Sequence, residues 1–178
     1  MINEFSSKVK STNTKARTLF ISTAAIAVIL LVLSFIIDRF AGLVGNVGLV
    51  FVVVAILVYT KYISPEYYYD ITHDSDGSSV FVVRMITGKR QSTLCRIGLA
   101  EIVKIERETR ELRRAHTTPK DCVKYSYSPT LDPDEVVRLT TRSRYEKAEI
   151  IIEVNSEFET LLRSYVSEAH LIEQNEEE

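Results

Sequence analysis

Two cysteines in 178 residues cannot supply a disulfide framework, and Cys95 and Cys122 fall on different expected strands. No Asn-x-Ser/Thr sequon occurs. The three histidines, His73, His116 and His170, pair with no cysteine or carboxylate at a metal-ligand spacing, so they read as structural or surface groups. Gly-x-Ser-x-Gly, a glycine-rich phosphate cradle and His-Glu-x-x-His are all missing. Carboxylates are plentiful, but none is singled out as half of an acid–base pair. No catalytic residue, cofactor or metal is expected.

Charge is also missing from one long stretch. Residues 19–37 read LFISTAAIAVILLVLSFII, without a single ionic group. At about 1.5 Å rise per residue such a run spans close to the ~30 Å hydrocarbon core of a bilayer. A buried helix of a water-soluble core usually keeps a polar stripe, and this one has none. A cleaved signal would end at a small-residue site, whereas Asp38-Arg39-Phe40 follows here. A second run, about 41–62, is rich in β-branched residues. In lipid a lone strand would leave its backbone unpaired, so helix is expected. Tyr59, Lys61 and Tyr62 suit the interfacial end of that span. Gly42, Gly45 and Gly48 let another backbone approach, more readily within the hairpin than in a dimer. A homo-oligomer remains an open alternative. Neither run carries the buried charge an ion or proton path needs, which argues against transport.

What charge there is divides the chain in two. Residues 1–63 hold six basic and two acidic side chains, net +4, and the remainder holds 16 basic and 22 acidic, net −6. The basic residues flank the apolar runs, so both ends of the hairpin are expected in the cytoplasm of a two-span cell-membrane protein. The expected organisation is a basic segment 1–18, a transmembrane hairpin 19–63, a domain 64–172 and an acidic, solvated tail 173–178. The domain's negative balance disfavours nucleic acid.

Residues 64–172 break into short β-rich segments separated by turn signals. Strands are expected at 67–72, 79–87, 92–97, 102–107, 122–127, 135–141 and 147–154. An Asp-Gly pair at 76–77 marks the first hairpin, and two prolines stiffen the loop at 128–134. The stretch 108–119 stays open between strand, helical turn and loop. A six-stranded reading, with 67–72 as linker, is also open. Phe158, Leu161, Leu162, Tyr165, Val166, Ala169 and Ile172 then fall on one stripe of a 3.6-residue helix, with Ser156 and Glu159 at capping-box spacing.

Seven strands followed by one amphipathic helix is the order of a pleckstrin-homology-like barrel, in which the helix covers the open end. Two spans, then Tyr69-Asp70-Ile71-Thr72, Arg96-Ile97-Gly98-Leu99-Ala100-Glu101-Ile102, the 125–133 segment YSYSPTLDP, and Ile150-Ile151-Ile152-Glu153-Val154 with Phe158-x-x-x-Leu162 resemble the bacterial pleckstrin-homology-like membrane proteins. The likeness covers most of residues 19–172 and rests on apolar and turn patterns. It implies a membrane α-hairpin plus a seven-stranded α+β or all-β barrel with a C-terminal capping helix, and it carries no catalytic residue.

One local concentration of positive charge stands out: Arg107, Arg110, Arg113, Arg114 and Lys120, interleaved with Glu106, Glu108, Glu111 and Asp121. The plain reading is a solvated, self-neutralising face. The sharper one is contact with anionic lipid head groups, about 1 kcal/mol per basic residue near a charged surface, or with a partner. Lys89, Arg90 and Arg96 form a looser second group. Against a lipid sensor, the turn at 73–78 is acidic, where pleckstrin-homology domains that hold inositol phosphates are basic. The expected role is a membrane-anchored binding or scaffolding module that recruits protein partners at the bilayer. A lipid sensor acting through 107–120 and an accessory subunit of a membrane enzyme or complex are the alternatives.

Overall fold

The computed structural model describes residues 5–8, 13–37, 40–74, 77–142 and 147–177. Lys10 of the basic segment, Asp38 and Arg39 of the link, Ser75 and Asp76 of the first hairpin turn, and Glu178 lie outside them. The chain forms two compact units, a hairpin unit at 11–65 and a sheet unit built from the remainder.

The hairpin unit consists of α1 (Thr14–Ile36) and α2 (Ala41–Val58), the latter continuing as a π-helical turn, Tyr59–Ile63. Asn13 caps α1: its Oδ1 accepts from the Ala16 N–H at 3.4 Å, while its Nδ2 donates to the Tyr62 carbonyl at 3.2 Å. The two far ends of the hairpin are thereby joined. Hydroxyls inside the apolar run donate to their own helix, Thr23 to Leu19 and Ser34 to Leu31, both at 2.7 Å, so they add no unsatisfied polar group. A Cβ on Gly48 would stand 3.2 Å from Leu31, and one on Gly45 3.6 Å from Ser34, whereas Gly42 meets nothing within 4 Å. Two of the three glycines therefore serve contact within the hairpin. The outward surface is apolar: Phe35, Ile36 and Leu43 are 86, 70 and 66% exposed. Both helices are long and apolar enough to cross a bilayer.

The sheet unit contains β1 (Phe5–Lys8), β2 (Pro65–His73), β3 (Ser79–Thr87), β4 (Arg90–Gly98), β5 (Ile102–Thr109), β6 (Cys122–Ser126), β7 (Glu135–Arg142) and β8 (Lys147–Ile152). A short helix, α3 (Arg110–Ala115), follows β5, and the long α4 (Ser156–Glu177) ends the unit. Each of the seven expected segments holds a strand, 67–72 included. They do not close into one seven-stranded barrel. Two four-stranded sheets form instead, β1-β2-β3-β4 and β5-β7-β8-β6. The extra strand, β1, precedes the hairpin and pairs antiparallel with β2, Phe5 opposite Ile71 and Lys8 opposite Tyr68. The second sheet is not a simple meander either. β6 lies parallel to β8, Tyr125 opposite Ile150, because 127–134 carries the chain around to β7.

Alternation decides which face of each strand is buried. Tyr69 and Ile71 of β2, Phe81 and Val83 of β3, Leu139 of β7, and Ile150 and Ile152 of β8 turn into one core, where Phe158 and Leu162 of α4 meet them. The Phe158 ring packs 5.9 Å from Phe5, 6.4 Å from Tyr69 and 6.4 Å from Phe81. Side chains also tie the sheets to each other. The Tyr69 hydroxyl donates to the Tyr127 carbonyl at 2.7 Å. The Tyr127 hydroxyl in turn donates at 3.3 Å to the carbonyl of Leu94, the residue passed over where the β3–β4 register shifts.

Two helix details depart from expectation. The cap of α4 is Asn155, not Ser156: its Oδ1 accepts from the Phe158 N–H at 2.9 Å. Both residue types cap well, so spacing alone placed the start one residue late. The helix also continues to Glu177, through most of the stretch expected as a frayed tail.

Removing the ring that all these contacts share should be severe. Phe158→Ala is expected to destabilise the sheet unit by about 3–5 kcal/mol, read as a lowered denaturant midpoint in tyrosine fluorescence of the detergent-solubilised chain.

Candidate functional site

The basic stretch becomes the end of β5, α3 and the loop that follows. Its charges are distributed unevenly. Arg107 lies 3.3 Å from Glu135 and 3.6 Å from Glu159, linking β5 to α4. Arg110 reaches Asp134 at 2.7 Å and the Asp132 carbonyl at 3.1 Å, and Arg113 reaches Asp132 and the Pro133 carbonyl, both at 3.0 Å. Arg110 and Arg113 thus clasp the proline-stiffened loop that precedes β7. Arg114 and Lys120 are exposed. Of the five residues, two are brought together on an acidic loop, one is tied to α4, and two face solvent. Of the looser group, Arg96 pairs with Asp74 at 2.6 Å.

Under this segment lies a charge cluster. Arg138 sits on β7, 1% exposed, with Glu108 of β5 on one side and Glu149 of β8 on the other, each at 2.7 Å. The Glu149 carboxylate also takes the Thr118 hydroxyl at 3.0 Å and the His116 ring nitrogen at 2.9 Å. Burial pushes the Glu149 carboxyl upward, but the bonds from His116 and Thr118 and the Arg138 charge outweigh it and hold the group below its ordinary range. The loop after α3 is therefore latched to the outer face of the second sheet. A buried guanidinium with two carboxylates costs heavily if either side is removed. The arrangement is structural in kind, since its bonds point at each other and not into a cavity. The sequence carried a signal for it: Arg138 interrupts the apolar run Val136–Leu139 of β7, and Glu149 stands between Ala148 and the three isoleucines of β8.

A groove of about 370 Å³ opens where the two sheets fail to meet. Leu94, Cys95 and Arg96 of β4 line one side, and Tyr125, Tyr127, Ala148 and Ile150 the other. Val123 and Tyr125 stand opposite Ala148 and Ile150 in the β6–β8 register, so they share the inner face of the sheet, yet the first sheet does not cover them: they are 44 and 37% exposed. The Tyr125 and Tyr127 rings stack at 6.2 Å. Burial pushes the Cys95 thiol up to about 11 despite a hydrogen bond with Tyr127, so it is no thiolate nucleophile at neutral pH. A second hollow of about 400 Å³ lies between β5 and α4, lined by Val103, Lys104, Arg163, His170 and Leu171. Among the described residues no three His, Cys, Asp or Glu side chains are placed to hold a metal.

Compared with known proteins, the chain matches no family model, no curated protein and no solved structure.

Two measurements probe the charge cluster. Arg138→Met leaves Glu108 and Glu149 buried without their cation and is expected to cost about 3–5 kcal/mol in denaturant unfolding. Asp134→Ala, at an exposed position, should stay within about 0.5 kcal/mol. Acid should act through Glu149. Its folded-state value is depressed, so the stability it contributes is complete above the ordinary value of 4.5 and is lost as pH falls through the depressed folded value. Limited proteolysis should accordingly begin to cut at 116–121 in that acid range, and Glu149→Gln should leave the loop cut at neutral pH.

Proposed function

We propose that this chain is a membrane-anchored binding module: the hairpin spans the bilayer, and the sheet unit recruits or assembles with a protein partner on the cytoplasmic side. The observation that carries the reading is the outward apolar surface of α1 and α2. Large side chains such as Phe35 and Ile36 lie mostly exposed, and a surface of that extent calls for an apolar surrounding. The basic residues around the hairpin support a cytoplasmic placement. Pairing of β1 with β2 supports an even number of crossings, because strands on either side of the hairpin must meet in one compartment.

Kinship with the pleckstrin-homology-like membrane proteins is part of the same proposal. Seven strands after the hairpin and a C-terminal helix seated in their common core speak for it. The parallel β6–β8 pair and the additional β1 depart from the pattern. A lipid-sensing role draws less support, since Arg107, Arg110 and Arg113 already hold carboxylates of the same chain.

Two experiments test the proposal. A C-terminal epitope should be removed by protease only in inverted membrane vesicles, whereas removal only in right-side-out vesicles would place the sheet unit outside the cell. Photo-crosslinkers set at spaced surface positions of the sheet unit, in intact cells, should give at least one discrete protein adduct. Lipid adducts alone, or none, would sink the binding-module reading.

A further inference from the structure

On the reading that the hairpin spans the bilayer, on which it rests, we propose that two copies of this chain pair through the outward stripe of α2, with Asn46 of each hydrogen-bonded to Asn46 of the other. Within the apolar runs 19–37 and 41–58 the polar side chains are Ser22, Thr23, Ser34 and Asn46. The three hydroxyls donate to carbonyls of their own helix. Among the described residues the Asn46 side chain has no hydrogen-bond partner, and the residue is exposed. Its carboxamide lies about 7 Å along the axis from Ala41, where α2 begins. It lacks the long stem with which lysine or arginine reaches the headgroups. In hydrocarbon no water serves its donors and acceptor, so the group calls for a partner on another helix.

The surroundings of Asn46 suit a close neighbour. Gly42, one turn away on the same face, is exposed, and a Cβ added there would meet nothing within 4 Å. Gly45 and Gly48 serve the hairpin itself, so Gly42 is the one of the three left facing outward. Gly42, Asn46, Val50, Val53 and Leu57 follow one another every three or four residues, and all are exposed. They form one stripe along the helix. Symmetry points to the occupant. Copies inserted by the same rule share one orientation, so a two-fold axis along the membrane normal sets each residue at the depth of its counterpart. Asn46 then faces Asn46. A carboxamide both donates and accepts, so two of them satisfy each other with a reciprocal pair of bonds. A helix of another sequence would need a polar group at that same depth. The rest of the stripe is uncharged, and nothing in it repels its own copy.

The test uses donor- and acceptor-labelled copies of the full chain in phosphatidylcholine vesicles, with Förster transfer followed as added lipid dilutes the protein. The unaltered chain should keep its transfer at dilutions where a non-associating span shows only chance encounters. Asn46→Leu, which leaves the span apolar and able to insert, should raise the dissociation constant about tenfold. Asn46→Gln keeps donor and acceptor and should retain more pairing than Asn46→Leu. Gly42→Leu should weaken pairing through bulk, whereas Ser22→Leu, on α1, should leave it unchanged. Chance-level transfer in the unaltered chain would overturn the inference and leave lipid or another protein as the partner of Asn46. So would transfer untouched by Asn46→Leu, equal loss in Asn46→Gln and Asn46→Leu, or equal loss in Ser22→Leu. Protease access to the C-terminal epitope in membrane vesicles separates the two readings. A chain that inserts as proposed but does not pair removes this inference alone, and a chain that does not insert removes both.

Discussion

Two sheets that share no strand pairing among the described residues are held together in this chain by a helix. Phe158 and Leu162 of α4 enter a core to which β2, β3, β7 and β8 all contribute, and the Phe158 ring alone touches aromatic residues of β1, β2 and β3. Burial of this kind is not directional. It can hold two sheets face to face without forcing their edges to join. The tyrosine ties, Tyr69 to Tyr127 and Tyr127 to Leu94, fix how the sheets face each other near the seam. What remains between β4 and β6 is a gap with an apolar floor. That gap is thus a by-product of how the core is made.

Polar interactions set the opposite face. Arg138, Glu108 and Glu149 bridge three strands of the second sheet, and Glu149 extends the bridge to His116 and Thr118. Arg110 and Arg113 do the same at the edge with Asp132 and Asp134. Most of the basic stretch therefore closes a surface. It leaves Arg114 and Lys120 as the exposed remainder, a small charge for attraction to a lipid surface.

Much of this was legible in the sequence, for physical reasons that can be named. The apolar runs of the hairpin and the Val- and Ile-rich runs of β3, β7 and β8 reflect burial, which acts locally on residue type. The apolar stripe of α4 is of the same kind. Less legible was what depends on distant partners. β1 has a single large apolar residue, Phe5, and gains its strand geometry from β2 across the whole hairpin. The parallel placement of β6 depends on β8, and the division into two sheets is set by pairings between strands far apart in the chain. Of the candidate site, the basic residues could be picked out but not their acceptors: Asp132 and Asp134 read as turn formers beside Pro133. The groove could not be read at all, since Leu94, Tyr125 and Tyr127 look like ordinary strand residues until the sheets are placed.

The pairing of β1 with β2 also orders events during synthesis. β1 leaves the ribosome before either helix of the hairpin, and its partner follows both. The first sheet therefore cannot be completed until the whole hairpin has been made, and the intervening contact is of long sequence separation, the kind that forms late. Until β1 and β2 meet across the hairpin the β2 edge stays bare, and a chain with an uncovered edge is open to capture by chaperones or by another such chain. Completion of the sheet is in that sense a record that the whole hairpin has been made.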